Sequence, residues 1–192
     1  MSLQANALIT LADLKGFLEL SDTTDYDSEG EDLINMLSDL FDSVTHRDLK
    51  AKDQTEYRNG DDADVLWLRN WPVNEGTSTV LVYIDMDREF AASTLVATAD
   101  RIIDVTTGKI TLAGTVFPDW PQCVKIFYNA GYSTVPGDLR VAMKVSCKYF
   151  RNQKKYAGVT SLSEAGGGAS VTLADDLPKS VLTVLARYTR KW

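Results

Sequence analysis

The sequence predicts an α+β protein, in which a scaffold of about four helices is interrupted by a small antiparallel β-sheet. Apolar residues recur at helical spacing towards both ends of the 192-residue chain, and short β-type runs separated by turn residues occupy the middle. Apolar residues make up 44% of the chain, enough to build a real core. We place the helical scaffold at residues 1–53 and 133–192 and the β insertion at residues 54–132.

Two helices are predicted before the insertion. The first begins at Thr10, with Asp13 three residues later in a weaker version of the capping box. The second is amphipathic and runs from about residue 29 to residue 45, with acidic residues in its first turn, where the helix dipole favours anions. His46 follows its end, where we expect it to interact with the last carbonyl groups.

The insertion is predicted to contain five or six short strands in one sheet. The β-type runs cover residues 55–58, 65–68, 80–84, 101–105, 109–112 and 123–128. Asn59 and Gly60 form a strong hairpin-turn signal, although the acidic residues after them indicate a loop longer than two residues. Thr107 and Gly108 join two further runs as a turn.

A third helix, after Val135 and Pro136, carries a narrow basic stripe. At about 100° per residue, its five members fall within roughly 80° of one another. They are Arg140, Lys144, Lys148, Arg151 and Lys155. Apolar side chains occupy much of the remaining circumference, so this helix is packed on most sides. Because such a stripe needs an acidic partner, solvent or nucleic acid, we predict that it contacts a neighbouring subunit or DNA.

The C-terminal region is predicted to contain a mobile tract and a last helix. Residues 158–170 end in a glycine-rich run, for which any single conformation is entropically unfavourable. The helix follows Asp176, with Pro178 in its first turn. Basic residues collect at its end, and we predict that they form a docking segment: Arg187, Arg190 and Lys191.

Two acidic clusters imitate metal sites. Residues 25–30 resemble the start of a calcium-binding loop, but the twelfth position, which should supply a bidentate carboxylate, is Met36. Asp61, Asp62 and Asp64 could hold Mg²⁺ for phosphoryl chemistry only with further carboxylates from other strands. The sequence contains no nucleophile-elbow, zinc-protease or phosphate-loop motif. We therefore predict no catalytic residues, no metal site and no cofactor.

Charge and cysteine content narrow the class of protein further. The net charge of −7 divides into −14 for residues 1–100 and +7 for residues 101–192. Oppositely charged faces let identical copies attract head to tail, although the charges could instead pair within one subunit. Cys123 and Cys147 lack metal or redox spacing and are predicted to be buried free thiols. No signal peptide or membrane-length apolar run is recognisable, which favours the cytoplasm of the producing cell.

The order and spacing of several motifs resemble the head-tail connector proteins of tailed bacteriophages, also called adaptor or head completion proteins. The strand end from Tyr128 to Tyr132, the Val135-Pro136 step and the long helix after it carry most of this resemblance. The first two helices agree with it. Three further short motifs resemble those of the longer family members, which insert β structure between the second and third helices. They are Trp71-Pro72-Val73, Thr107-Gly108-Lys109-Ile110 and Trp120-Pro121.

This resemblance implies a structural protein rather than an enzyme. Connectors of the family form a ring, usually of twelve copies, beneath the portal, where they extend the DNA channel and dock the next tail-side component. The implied partners are further copies, the portal protein, a tail-side completion protein and double-stranded DNA without sequence specificity, with no membrane. The implied location is the virion, after assembly in the bacterial host cytoplasm. The residues leave open a metal-dependent enzyme acting on nucleic acid or a DNA-binding module that uses the basic stripe.

Overall fold

The computed structural model describes residues 2–20, 24–74, 80–154 and 177–189. The chain divides into two compact units, a helical unit of residues 1–46 and 135–192 and a β unit of residues 47–134. Four α-helices and six strands lie in the described ranges, which confirms the α+β class. The predicted insertion, residues 54–132, lies inside the β unit. Residues 47–53 also belong to this unit, because β1 begins at Lys52 and pairs along its whole length with a later strand.

The first helix, α1 (Leu11–Leu18), begins with the predicted capping box. The Thr10 hydroxyl accepts a hydrogen bond from the Asp13 backbone N–H at 3.1 Å. In return, the Asp13 carboxylate accepts one from the Thr10 N–H at 3.3 Å. Two backbone donors that a helix start leaves unsatisfied are thereby paired.

The second helix, α2 (Asp27–Thr45), begins two residues before the predicted start. It ends where the chain turns left-handed at His46, with φ 56°, and the His46 backbone N–H donates to the carbonyls of Asp42 and Ser43. One face of α2 is fully buried at Ile34, Leu37 and Phe41. The amphipathic spacing read from the sequence therefore corresponds to a helix that packs into the core.

The other two helices are α3 (Gly137–Lys154) and α4 (Lys179–Leu185). They complete the core of the helical unit with fully or almost fully buried side chains: Leu139, Met143, Cys147, Val181 and Leu185. Pro178 occupies the N-cap position, immediately before α4, and does not lie in its first turn. Both cysteines are free and buried, as predicted, and burial raises the pKa of the Cys147 thiol to about 12. No described helix is long and apolar enough to cross a membrane.

The described part of the β unit holds six antiparallel strands in two sheets rather than the single sheet predicted. The first sheet has the order β1 (Lys52–Arg58), β6 (Val124–Ala130), β3 (Leu81–Ile84). The second has the order β2 (Val65–Trp67), β5 (Lys109–Leu112), β4 (Arg101–Asp104). Buried residues of both sheets belong to one hydrophobic cluster, so each sheet covers the apolar face of the other.

The predicted hairpin at Asn59 and Gly60 is wrong. The strand before it, β1, pairs with β6, and the strand after it, β2, pairs with β5. Gly60 is instead a point of close approach, because a Cβ atom there would collide with the backbone carbonyl of Pro118. The turn at Gly108, with φ 70°, does join two paired strands, β4 and β5.

The strand end from Tyr128 to Tyr132 closes the β unit on itself. Tyr132 donates its N–H to the Leu49 carbonyl at 2.8 Å and accepts from the Ala51 N–H at 3.2 Å. Gly131, with φ 109°, lies so close to this returning chain that a Cβ atom would stand 2.6 Å from the Lys50 carbonyl group. Only glycine fits a position that is both left-handed and in backbone contact.

Tyr128, the first residue of this strand end, has a structural role of its own. Its ring is fully buried, its hydroxyl donates to the Glu56 carboxylate, and the same hydroxyl accepts from the Asn70 N–H at 3.2 Å. Burial, together with the neighbouring Glu56 charge, raises the pKa of the Tyr128 phenol well above its usual range. This tyrosine is thus a neutral buried donor that ties β6 to β1 and to the loop at Asn70.

Candidate functional site: the basic stripe of the third helix

The basic stripe lies along α3, and four of its five members are in the described part of the chain. Arg140, Lys144 and Arg151 are partly buried, whereas Lys148 is exposed. Lys155 lies outside the described residues. The positions follow one another by four, four and three residues, the spacing that keeps side chains on one side of a helix.

The first two members of the stripe form ion pairs with Asp13 in α1. Arg140 Nη2 lies 2.7 Å from Asp13 Oδ1, and Lys144 Nζ lies 3.3 Å from the same oxygen. Because Asp13 is also the N3 residue of the capping box, one carboxylate holds the start of α1 and the stripe of α3 together. These charges therefore pair within one subunit, the alternative that the sequence left open.

The pKa of Asp13 reflects this crowded environment. Burial of the carboxylate raises its pKa, but hydrogen bonds from Thr10, Arg140 and Lys144 outweigh that effect. The resulting pKa is about 2, against an ordinary value of 3.8. The carboxylate is therefore ionised at every physiological pH, and its interaction with α3 persists throughout that range.

The next two members of the stripe contact aromatic rings. Lys148 Nζ lies 6.0 Å from the centre of the Phe17 ring, and Arg151 Cζ lies 4.6 Å from the centre of the Tyr26 ring. Both rings are about two-fifths exposed, and a cation over an exposed ring contributes about 0.5–1 kcal/mol. Each described member of the stripe thus has a contact within its own helical unit. Whether the stripe also contacts a neighbour or DNA stays a prediction.

These contacts distinguish Lys144 from Lys148 in a mutational test. Lys144→Glu should lower the free energy of unfolding by about 1–2 kcal/mol, because it replaces a partly buried ion pair with two adjacent carboxylates. Lys148→Glu, one turn along the same helix, should change it by about 0.5 kcal/mol or less, because the side chain is exposed and its Nζ, 6.0 Å from the Phe17 ring centre, is at the outer limit of a cation–π contact. Urea unfolding of both variants measures the difference. Equal losses would mean that the Asp13 pair contributes nothing particular.

The predicted docking segment is described only in part. Arg187 is exposed just beyond α4, whereas Arg190 and Lys191 lie outside the described residues, as does the glycine-rich tract at 158–170. Next to Arg187, the Tyr188 hydroxyl donates to the Asp138 carboxylate at 2.5 Å. This bond connects the end of the last described segment to the first turn of α3.

The acidic clusters have local roles in the structure. Asp27, from the calcium-like stretch, lies in the first turn of α2 and pairs with Lys15 at 2.7 Å. Asp61 accepts from the Ala63 N–H at 3.2 Å, and Asp62 accepts from the Asp119 N–H at 2.9 Å. Among the described residues, no group of three or more histidines, cysteines and carboxylates is arranged to hold a metal ion.

Similar folds occur in solved structures of gene transfer agent (GTA) particles. A chain from the neck of an empty GTA particle, computed with C6 symmetry, matches with a TM-score of 0.61 and 20% identity. The match covers 100% of this chain and 94% of that chain. A chain from the virion of a native GTA particle gives the same four values. A chain from the neck of a native GTA particle, computed with C12 symmetry, matches with a TM-score of 0.56 and 19% identity, covering 100% and 93%.

At these identities the structural matches establish a shared fold. A search of curated proteins gave no significant match. The sequence profile of one family, described as head completion protein, matches residues 7–191, which is nearly the whole chain. The chain therefore belongs to the head completion protein family.

Proposed function

We propose that this head completion protein acts as one subunit of a closed ring, of twelve copies by family resemblance, at the head-tail junction of a phage-type particle. Its family membership, which spans residues 7–191, gives it a structural role in the head-tail connector and is the observation that carries the proposal. Neck structures with a similar fold were computed with C6 and C12 symmetry, as expected for ring-shaped assemblies. In this proposal the ring lies beneath the portal, extends the DNA channel and docks the next tail-side component.

The proposed partners follow from that position. They are further copies of the chain, the portal protein, a tail-side completion protein and double-stranded DNA, which the ring contacts without sequence specificity. Assembly takes place in the bacterial host cytoplasm and ends in the virion, without a membrane step. The protein performs no catalysis, a view supported by the hydrogen bonds that Asp61 accepts from Ala63 in its own loop and Asp62 accepts from Asp119.

The ion pairs of Asp13 refine the proposed role of the basic stripe. Arg140 and Lys144 are engaged within the subunit, so they position α3 against α1. Lys148 is exposed and remains the described member with the most freedom to reach a neighbour or the channel. We therefore assign any contact of the stripe with DNA or a second copy to its C-terminal half.

Mass measurement over a range of protein concentrations tests the ring. We expect a discrete multiple of the subunit mass of 21.2 kDa, either at high concentration or when the purified portal protein is added. High salt should weaken the assembly, because exposed charges are screened over a Debye length of about 8–10 Å. A protein that stays monomeric at high concentration and with its portal would contradict the proposal.

A further inference from the structure

Three loops meet at one end of the β unit and form a surface that we call the tip. They are residues 59–64, 85–91 and 113–122. Trp120 Nε1 donates to the Met86 carbonyl at 3.1 Å and so joins the third loop to the second. The Asp119 N–H donates to the Asp62 carboxylate at 2.9 Å and joins the third loop to the first. Because these bonds connect separate loops, the tip is already formed in the single chain.

The tip lies at the end of the β unit that is remote from its two chain junctions. Lys52 of β1 pairs with Ala130 of β6 at one end of the sheet, and Arg58 pairs with Val124 at the other. The β unit begins at residue 47 and ends at residue 134, so both junctions are near the first of these ends. The loops of the tip adjoin the second end, about 20 Å away along the strands at about 3.3 Å per residue. A partner can therefore contact the tip without disturbing either junction.

Two large apolar side chains are exposed next to each other on the tip. Trp120 is 48% exposed and Met86 is 52% exposed. The single polar group of the Trp120 ring, its Nε1–H, already donates to the Met86 carbonyl. A partner can therefore cover the ring without leaving a buried donor unsatisfied. Tryptophan and methionine are also among the residues enriched in protein interfaces.

Acidic side chains dominate the charged surface of the tip. Its exposed carboxylates are Asp61, Asp62, Asp64, Asp87, Glu89 and Asp119. Arg88 is the one exposed basic residue of the three loops. Apolar side chains among so many carboxylates favour a partner whose own contact surface is basic, and the same carboxylates repel duplex DNA. The tip therefore fits a protein surface rich in lysine or arginine.

A second copy of the chain is a less suitable occupant of the tip, because most described basic side chains already have a contact within their own chain. Five pair with carboxylates: Lys15, Lys52, Arg58, Arg140 and Lys144. Four more lie 4.6–6.0 Å from the centres of aromatic rings: Lys109, Lys125, Lys148 and Arg151. The tip is also complete within one chain, so it stays available for a component that binds after the ring has closed.

We propose that the tip docks the next tail-side component of the head-tail junction, through a basic surface of that component with an apolar recess for Trp120 and Met86. This contact rests on the proposed function, in which the ring docks that component. The buried tryptophan supplies much of the binding free energy. The carboxylates around it accelerate the encounter and fix its orientation.

Trp120→Ala tests this contact in the ring assembled on its portal, with the purified tail-side component of the same particle as the probe. Binding should weaken at least about tenfold, because the variant removes the largest exposed apolar side chain of the tip. Trp67→Ala is the matched control. Trp67 is 41% exposed and pairs with Lys109 beside the Gly108 turn, at the other end of its sheet, so its loss should leave binding unchanged. Surface plasmon resonance measures both affinities.

Charge reversal tests the acidic side chains of the tip separately. D87K/D119K should weaken binding about tenfold and make it less sensitive to salt, because lysines then face the basic surface of the partner. E19K/D32K changes the net charge by the same amount, at two exposed carboxylates of the helical unit, and should bind as the wild type does. Circular dichroism and thermal melting check that each variant is folded. If Trp120→Ala unfolds, Met86→Ala serves instead, since it keeps the carbonyl that Trp120 uses, and weaker binding is again expected.

The outcomes separate this contact from the proposed function. Normal binding of the tail-side component by Trp120→Ala or D87K/D119K rings would overturn the contact while leaving the proposed function intact. A folded tip variant that fails to form rings, or fails to bind the portal, would assign the tip to a second copy or to the portal and also overturn the contact. A wild-type ring that does not form, or that does not bind the tail-side component, would contradict the proposed function and remove this contact with it.

Discussion

Gly131→Ala is expected to lower the free energy of unfolding by about 3 kcal/mol or more. Gly131 has φ 109°, and an added Cβ atom would stand 2.6 Å from the carbonyl carbon and oxygen of Lys50 and 2.8 Å from the Ala51 nitrogen. These neighbours are backbone atoms, which cannot rotate away as a side chain does. The substitution must therefore displace the bonds that Tyr132 makes with Leu49 and Ala51. Urea unfolding, monitored by tryptophan fluorescence, measures the loss.

Gly114→Ala is the matched control for this prediction. Gly114 also has a positive φ, 75°, but a Cβ atom there would meet nothing within 4 Å. Gly114→Ala should therefore lower the free energy of unfolding by only about 1 kcal/mol, the cost of holding an alanine in a left-handed conformation. Equal losses for the two variants would mean that the close approach of Gly131 to Lys50 has no energetic importance.

Asp13→Asn is expected to lower the free energy of unfolding at pH 7 by about 2 kcal/mol. The carboxylate accepts from Thr10 in the capping box and pairs with Arg140 and Lys144, and these interactions depress its pKa from 3.8 to about 2. A carboxyl group whose pKa is lowered by folding stabilises the folded state fully at pH values above its pKa in the unfolded chain. The stabilisation decreases progressively as the pH falls below that pKa. The gap between wild type and variant should thus be constant above about pH 5 and shrink between pH 4 and pH 2.

Unfolding curves at several pH values measure this dependence. Asp32→Asn provides the control, because Asp32 is exposed on the outer face of α2, and its substitution should change stability by less than about 0.5 kcal/mol in the isolated subunit. A gap for Asp13→Asn that stays the same from pH 7 to pH 3 would show that the ionised carboxylate is not the source of the stabilisation.

Features that depend on neighbouring residues could be predicted from the sequence. Thr10 and Asp13 form the capping box because its two hydrogen bonds span only three residues. The approximate positions of α2 and of the six strands also follow from local pattern, although α2 begins two residues and β1 three residues before the predicted start. Strand pairing is not local: β1 pairs with β6 across about 70 residues, as in the pair of Tyr57 and Lys125. For this reason the sequence predicts one sheet where the described residues form two, and a hairpin at Asn59 and Gly60 where the flanking strands pair with other partners.

The stripe on α3 shows the same limit. Periodicity correctly placed Arg140 and Lys144 on one side of a helix, but their partner, Asp13, is 127 and 131 residues away in the sequence. The capping role of Asp13 in α1 gives no indication that the same carboxylate also pairs with α3. The exposure of Met36 on α2 and of Leu182 on α4 could not be predicted either, because periodicity reveals the faces of a helix and not which face the core leaves uncovered.

The bonds between Tyr132 and the chain at Leu49 and Ala51 bear on how such a protein changes over evolutionary time. They bring the end of the β unit back to its beginning, so the unit occupies the chain as a cassette with its two ends together. Segments of this geometry are readily gained or lost, because the path of the chain on either side need not change. A short turn in place of residues 47–134 would leave the four helices connected in the same order. The helical unit could therefore be inherited with or without the cassette.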